Sequence, residues 1–386
     1  MGYLKTYKLF NLLYISEIPV NLKEDLIRCN MNNKISNIVC LGLGKVGTLV
    51  GTLLSEQFEV TGMDQQAPHY RHKLPFRVLT GDVGDLTLMD ETIRKYDAIV
   101  SALPYYLNNS IAKLAHKYGK HYFDLTEDVN ATNQIKELSE TATAVMAPQC
   151  GLAPGFIGII AADLANGFDR LRSMEMRVGA LPKYPNGALG YSLTWSANGL
   201  VNEYINDAEV IHHGKRKTVT SLQGKELINL EGAPYEAFYT SGGLGTMCET
   251  YEGKVDKLDY KTIRYPGHCD LMNFLIYELH LNENRKQLED ILQNAKPIVP
   301  EDVVITYVAV EGWNNGELHR KEFSQSYSPI VINGMTWRAI SWTTAASTVA
   351  VIEMVSYGWL PSKGFIKQEE IPLLDFLKTR CGSFFK

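Results

Sequence analysis

Apolar residues in the first part of the chain come in short runs separated by helical patterns. Asn37-Ile-Val-Cys-Leu-Gly42 is an apolar run ending in glycine, the mark of a strand buried in a parallel sheet. Val46, Leu49, Val50, Leu53 and Leu54 then recur at helical spacing through 45–55. Further runs lie at Phe58–Met63, which stops at Asp64, and at Phe76–Leu79, Asp97–Ser101, His121–Asp124 and Ala144–Ala147. Helical patterns around Leu86–Ile93, 108–118 and 130–142 separate the later ones. This alternation predicts a doubly wound α/β domain, a parallel sheet with helices on both faces.

The pattern changes after Pro154. Strand-like runs at Met174–Val178, Tyr191–Trp195 and Val303–Val308 alternate apolar with polar positions and are broken by Gly, Pro and Asn. They predict a mixed α+β domain with a solvent-facing sheet. Ala339 to Tyr357 is helix-like and is expected to pack back on the first domain. The expected division is an extension at 1–36, a first domain at 37–152, a second at 153–338 and a returning helical segment at 339–386.

Composition narrows the class. A length of 386 residues fits two to three domains at roughly 150 residues each. Hydrophobic residues at 45% and charged residues at 21% exclude disorder as the main state. No uninterrupted apolar stretch comes near the roughly 18 residues of a membrane span, so no membrane is expected as a partner. The net charge of −5 carries no visible basic patch, so no nucleic acid is expected either. Six cysteines without a CxxC pair argue against a disulfide framework or structural zinc, and no metal is expected. A reducing, cytoplasmic setting fits them. The apolar run near the amino end is broken by Ser16, Glu17 and Pro19 with no cleavage site after it, unlike a secretory signal. Residues 1–36 read as a poorly ordered extension, or as sequence upstream of a start at Met31.

Gly42-Leu-Gly44-Lys45-Val46-Gly47 is a GxGxxG placed after a predicted strand and opening a predicted helix, the context that makes it informative. Gly42 permits the turn, Gly44 lets a pyrophosphate approach the backbone, and Gly47 lets helix and strand pack closely. Twenty residues beyond Gly44, Asp64 ends the second strand, where an acid binds the adenine ribose hydroxyls. An acid there repels a 2′-phosphate, so NAD is the expected cofactor; Arg71, His72 and Lys73 behind it leave NADP as the alternative. Asp82 and Val83 after the third strand, and Ala102, Leu103 and Pro104 after the fourth, are placed to line the nucleotide. Asp124 and Thr126 end the fifth strand at the crevice edge and suit a substrate ammonium, although Thr126 and Asp128 also suit helix capping. Gly151-Leu-Ala-Pro154-Gly155 reads as a rigid turn at the domain crossover, and Cys150 as buried packing. In the second domain, Arg264 suits a carboxylate, Tyr265 and His268 suit proton transfer, and Trp195, Ser196 and Asn198 group polar atoms beside an aromatic.

With these segments in hand, the chain resembles the saccharopine dehydrogenase family, including lysine 6-dehydrogenase, from about Ile38 to the carboxyl end. The most specific pieces are GLAPG at 151–155, Gly179-Ala-Leu-Pro182 followed by Leu189-Gly-Tyr-Ser-Leu-Thr-Trp-Ser196, Glu236-Ala-Phe-Tyr-Thr-Ser-Gly-Gly243, and Tyr260-Lys-Thr-Ile-Arg-Tyr-Pro-Gly-His268. The resemblance implies a Rossmann domain with an inserted α+β domain that covers the substrate and makes a homodimer. It implies an NAD(P)-dependent oxidoreductase acting on a CH–NH donor in lysine metabolism. Saccharopine is the leading small-molecule amino-acid substrate, giving glutamate and aminoadipate semialdehyde. L-lysine and a carboxyspermidine-type conjugate are the alternative substrates, and a non-catalytic NAD-binding member is the alternative class. By similarity, Arg264 and the Ser196–Asn198 region hold substrate carboxylates. His268 and Asp124 are the expected bases.

Overall fold

The structure, a computed structural model, describes the backbone of residues 6–8 and 71, and residues 35–68 and 72–386 in full. The chain divides into two compact units. Of the described residues, one holds those within 35–151 and 343–386; the other holds 6–8 and 152–342. Each unit is described by itself.

The first described element is a three-residue strand, β1 (Thr6–Lys8), which belongs to the second unit. Those three residues correct the expectation of an unstructured extension; the rest of residues 1–34, Met31 included, lies outside the described residues. The first unit then follows the expected alternation. Its elements are β2 (Asn37–Leu41), α1 (Lys45–Leu54), β3 (Glu59–Asp64), β4 (Arg77–Thr80), α2 (Leu86–Ile93), β5 (Ala98–Ser101), α3 (Tyr105–Lys117), β6 (His121–Asp124), α4 (Val129–Ser139) and β7 (Val145–Ala147). α3 begins three residues before the predicted 108–118, because Pro104 stands at its N-cap, and α4 ends three residues short of 142. A short strand at Gly364–Phe365 completes a seven-stranded sheet, which runs from it through β7, β6, β5, β2 and β3 to β4, parallel throughout. The order reverses between β2 and β5, so the crevice at their carboxyl ends is the place for a ligand. Val39, Leu41, Ile99, Ile111, Tyr122 and Ile135 pack in the core beneath it.

The second unit opens with α5 (Phe156–Ala165), entered through a cis Ala153–Pro154 bond and Gly155 at φ +134°, a conformation that favours glycine. Its strands are β8 (Arg170–Pro182), β9 (Ala208–His212), β10 (Lys215–Val219), β11 (Glu226–Leu230), β12 (Ala233–Tyr239), β13 (Lys257–Arg264), β14 (Asp302–Asn314) and β15 (Glu317–Tyr327). With β1 they form a nine-stranded mixed sheet in which β8 lies between parallel β13 and antiparallel β14. Helices α6 (Ala197–Ile205), α7 (Met247–Tyr251), α8 (His268–Asn273) and α9 (Arg285–Ala295) accompany it, and α6, α8 and α9 share a core with Phe238 of β12. The predicted strand at Tyr191–Trp195 is not one. Gly190 at φ +57° turns the chain there, and Tyr191 and Leu193 are buried in an irregular loop under α6.

The predicted late helix is α10 (Ala339–Ser356). Its 18 residues have a mean hydropathy of 1.2, long and apolar enough for a span by length and composition, but the run is interrupted by Ser, Thr and Glu353 and 83% of it is buried inside the protein, as in a core helix.

Candidate functional site

The crevice of the first unit is built on the turn between β2 and α1. Gly42 sits at φ +87°, and a Cβ there would meet the Ala102 carbonyl oxygen at 2.7 Å. A Cβ on Gly47 would stand 1.9 Å from the Gly42 oxygen. Only glycine closes this turn against β5 and its Ala102-Leu103-Pro104 extension. A Cβ on Gly44 would meet nothing within 4 Å, so the turn is open on one side. No side chain caps α1 and its first turn holds no acid, leaving the N-terminus of Lys45, Val46 and Gly47 suited to an anion. Open space above Gly44 together with that N-terminus fits the pyrophosphate of a dinucleotide.

Asp64 ends β3 beside this turn. Its Oδ2 accepts the Leu43 N–H at 2.6 Å and its Oδ1 the Gln66 N–H at 3.0 Å. The carboxylate is thereby fixed next to the glycine loop, where the ribose of a dinucleotide lies. Asp82 is tied to the same place, accepting from the Gln65 side chain at 2.6 Å and from the Gly84 N–H at 2.8 Å. Val83 is buried. His72 and Lys73 are exposed; the Arg71 side chain and residues 69–70 lie outside the described residues.

Asp124 stands in register with Ser101 at the carboxyl edge. It is fully buried and held by three hydrogen bonds: Oδ1 accepts the N–H groups of Thr126 (2.9 Å) and Gln149 (3.1 Å), and Oδ2 accepts the Tyr122 hydroxyl at 2.8 Å. Burial pushes its pKa up to about 6. The expectation that Asp124 is a free base or ammonium anchor is corrected, because its lone pairs tie two loops together. The Thr126 hydroxyl accepts the Asp128 N–H, and Asp128 caps α4 through the Ala131 N–H. Glu127 differs. It is half-buried and among the described residues bonds only its own backbone N–H. Burial, then the neighbouring Asp128 and Asp124, raise its pKa to about 7. Cys150 is buried with its thiol on the Ala147 oxygen, and burial pushes its pKa far up, as packing requires.

The second unit holds an arginine inside a ring of aromatics. Arg264, 2% exposed, ends β13. Its Nε donates to the Tyr204 hydroxyl at 2.8 Å and its Nη1 to the Ile263 oxygen at 2.9 Å. Its Cζ lies 4.8 Å from the centre of the Tyr191 ring and 5.7 Å from that of Tyr204. No carboxylate stands at ion-pair distance from it among the described residues. Burial works against its charge; Tyr204, Tyr191 and Glu203 favour it, and the net shift is upward. Tyr204 in turn meets His268 Nε2 at 3.0 Å, and His268 Nδ1 meets the Leu189 oxygen at 3.1 Å. The proton positions follow from chemistry. A carbonyl only accepts, so Nδ1 carries the hydrogen. Arg264 only donates, so the Tyr204 hydrogen points to Nε2.

His268 is therefore a fully bonded neutral imidazole, 1% exposed, and burial followed by the Arg264 charge lowers its pKa to about 3. Its expected role as a base is corrected: it holds Tyr204, which holds Arg264. Tyr265 is corrected too. Its hydroxyl donates to the Pro182 oxygen at 3.1 Å and burial raises its pKa. Ser196 caps α6 by accepting the Gly199 N–H at 3.3 Å, which leaves its O–H as a donor, and the Asn198 amide donates one hydrogen to Glu289 of α9 at 2.6 Å. Trp195 is half-buried against the same core. The sequence reading gave no role to Tyr191 and Glu236, which lie in its quoted segments, and missed Tyr204. Glu236 is buried on β12 and its carboxylate accepts the N–H groups of Gly267 (2.9 Å) and Cys269 (2.5 Å), fixing the turn that carries His268.

Two family models match the chain. One described as saccharopine dehydrogenase NADP binding domain covers residues 38–148, and one described as saccharopine dehydrogenase C-terminal domain covers 151–383. Among curated proteins, the saccharopine dehydrogenase (NADP(+), L-glutamate-forming) of Schizosaccharomyces pombe is 22% identical over 277 residues, 66% of this chain and 60% of that protein. The protein of the same name from Pyricularia oryzae is 21% identical over 294 residues, 70% and 62% of the two chains. The aligned region thus spans only about three-fifths of the length of these relatives. Among solved structures, apo histidine-tagged saccharopine dehydrogenase (L-Glu forming) from Saccharomyces cerevisiae shares the fold, with a TM-score of 0.71 at 15% identity over 89% of this chain and 97% of that one.

Proposed function

Because the chain belongs to the saccharopine dehydrogenase family, we propose that it is a nicotinamide-dinucleotide-dependent oxidoreductase of a CH–NH bond in lysine metabolism. Its substrate on this reading is saccharopine, and its products are glutamate and aminoadipate semialdehyde. The observation that carries it is the state of Arg264. A buried guanidinium that donates to a hydroxyl and a carbonyl, with no acid at ion-pair distance among the described residues, is costly unless a ligand anion completes it. An amino-acid carboxylate has the planar, two-oxygen geometry that suits it.

A bound nicotinamide dinucleotide supplies the hydride acceptor. NAD is the form that the carboxylate of Asp64 favours, and NADP is the form in the names of the curated relatives. The chain's own residues orient the substrate and manage its protons. Arg264, stiffened by Tyr204 and His268, fixes a carboxylate. An amine with an ordinary pKa near 10 must lose a proton before the carbon–nitrogen bond is oxidised. Glu127 is the acid left free for that, at the carboxyl edge of the parallel sheet and near half-ionisation at neutral pH. Asp124 and Thr126 hold the loop that carries it.

The same reading includes a homodimer formed through one face of the second unit's sheet, and a cytoplasmic setting, which the five buried free thiols among the described residues suit. The activity test offers saccharopine and lysine separately, with NAD or NADP, and follows formation of the reduced dinucleotide. Turnover of saccharopine with glutamate release supports the reading, as does a loss of about a hundredfold or more in kcat/KM for Arg264→Gln. Turnover of lysine alone moves the assignment to a lysine 6-dehydrogenase. Dinucleotide binding without turnover of either sinks the saccharopine assignment.

A further inference from the structure

The first unit has a second opening, at the amino edge of its parallel sheet, opposite the carboxyl edge where the glycine turn stands. A cavity of about 410 Å³ lies where β2, β3 and β4 begin, flanked by the chain that follows α1 and the chain that follows α2. Its size falls in the range of small-molecule sites, roughly 300–1,000 Å³. Phe76 is buried there, and two glycines make room for its ring. A Cβ on Gly51 of α1 or on Gly62 of β3 would stand 2.8 Å from it. Phe58 and Tyr96, both half-buried, line the same cavity.

Three charged side chains share this cavity. Glu59 opens β3, Arg77 opens β4, and Lys95 follows α2. They carry both signs, yet among the described residues none of the three side chains makes an ion pair or a hydrogen bond, with each other or with anything else. Thr61 is in register with Arg77 and two residues beyond Glu59, so all three lie on one face of the sheet. Thr61 is 6% exposed, and its hydroxyl makes no hydrogen bond among the described residues. Opposite charges on one rim that do not pair leave both signs open to a ligand. The aromatic rings beside them can cover a flat apolar body.

We infer that this cavity is a binding site for an aromatic α-amino acid. The ring lies against Phe58 and Phe76, the carboxylate takes Arg77 and Lys95, and the ammonium takes Glu59, with the Thr61 hydroxyl as a further polar partner. A ligand with only one of the two charges leaves part of the rim unmet, and one without a ring leaves the aromatics uncovered. The site draws on no residue of the glycine turn or of the second unit, so it stands apart from the proposed function. Glu59 and Asp64 are the two ends of β3, so an occupant here does not displace a dinucleotide.

The test is calorimetric titration of the full chain with L-phenylalanine, with and without saturating NAD. Phenethylamine lacks the carboxylate, 3-phenylpropionate lacks the ammonium and L-alanine lacks the ring; each is titrated beside it. L-phenylalanine is expected to bind about tenfold or more tighter than any of the three, with the same affinity in NAD. Arg77→Gln should weaken it about tenfold, toward phenethylamine, and leave phenethylamine unchanged. Glu59→Gln should weaken it toward 3-phenylpropionate and leave 3-phenylpropionate unchanged. Both side chains are exposed, and thermal unfolding checks that each variant remains folded. No binding of L-phenylalanine at about 10 mM overturns the inference. So does equal binding of all the ring compounds, which would make the cavity an apolar cleft without selection for charge. Binding that NAD abolishes, or that neither folded variant weakens, would place the amino acid at another site and overturn it as well.

Discussion

Asp64 holds the glycine loop with both oxygens, through the Leu43 and Gln66 N–H groups, and sets a carboxylate beside the place where an adenine ribose lies. Two hydroxyls there gain an acceptor, whereas a 2′-phosphate meets a like charge. Asp64→Ser should move the ratio of NADP to NAD affinity toward NADP by at least about tenfold, roughly 1.4 kcal/mol, read from dinucleotide dissociation constants. An unchanged ratio would show that the exposed His72 and Lys73 side, not Asp64, decides the coenzyme. Glu127 is the other residue whose charge carries a prediction. Its pKa is raised to about 7, so the carboxylate that accepts a proton fills as pH rises through that value. The wild-type rate should therefore rise from pH 6 to 8, and Glu127→Gln should remove that limb while lowering kcat. A variant that keeps the limb would exclude Glu127 as its source. Asp124, although its pKa is raised to about 6, is no substitute, because the hydrogen bonds from Thr126, Gln149 and Tyr122 occupy it.

At the scale of elements, the β2–α1 turn is intolerant where the chain passes closest to itself. Gly47→Ala would put a Cβ 1.9 Å from the Gly42 oxygen and 2.9 Å from the Ala102 Cβ, so helix and strand must separate. Dinucleotide binding should fall by about a hundredfold or more, measured by fluorescence titration, whereas Gly44→Ala, with open space around it, should fold normally and lose affinity only through contact with the ligand. Equal effects on stability from both would refute this geometry. The same turn shows why one half of the fold was legible. Strands buried on both faces read as apolar runs, and β2, β5 and β6 did so. β13 did not. It buries Asp259 and Lys261 on one face, which Arg177 and Glu226 pair at 2.5–2.7 Å, so its pattern looks solvated although the strand is inside. The site divided along similar lines. Arg264 stood out as an arginine beside a Pro–Gly turn. Tyr204 lies 60 residues from it in the chain, and only the sheet and α6 bring the two together. His268 was legible as a residue but not in its role, since no spacing reveals that both ring nitrogens are engaged.

At the scale of the molecule, the second unit's sheet has one face that its own helices do not supply. Phe238 points into the core shared by α6, α8 and α9, and its neighbour Ala237 points the other way, into a cluster with Leu181, Leu230, Ile263 and Ile305. Every side chain of that cluster comes from the sheet or the turn after β13. Ile228, Tyr235, Tyr265, Val303 and Tyr307 cover it and remain partly exposed. Beside it, charges of both signs alternate across the strands: Glu226 with Arg177 and Lys261, Glu175 with Lys257, and Arg320 with Glu311 and Glu322. An apolar centre with a rim of mixed sign is self-complementary about a two-fold axis, which is what a second copy requires. The chain should therefore sediment at about twice its 43.3 kDa at micromolar concentration. Tyr235→Asp sets a desolvated charge in the centre of the patch, at a side chain already partly exposed in the single chain. It should give a folded monomer, with an unchanged circular dichroism spectrum and half the mass. A wild type that sediments as a monomer at every concentration would remove the homodimer from the proposed function. A dimer that survives Tyr235→Asp would place its interface on another surface.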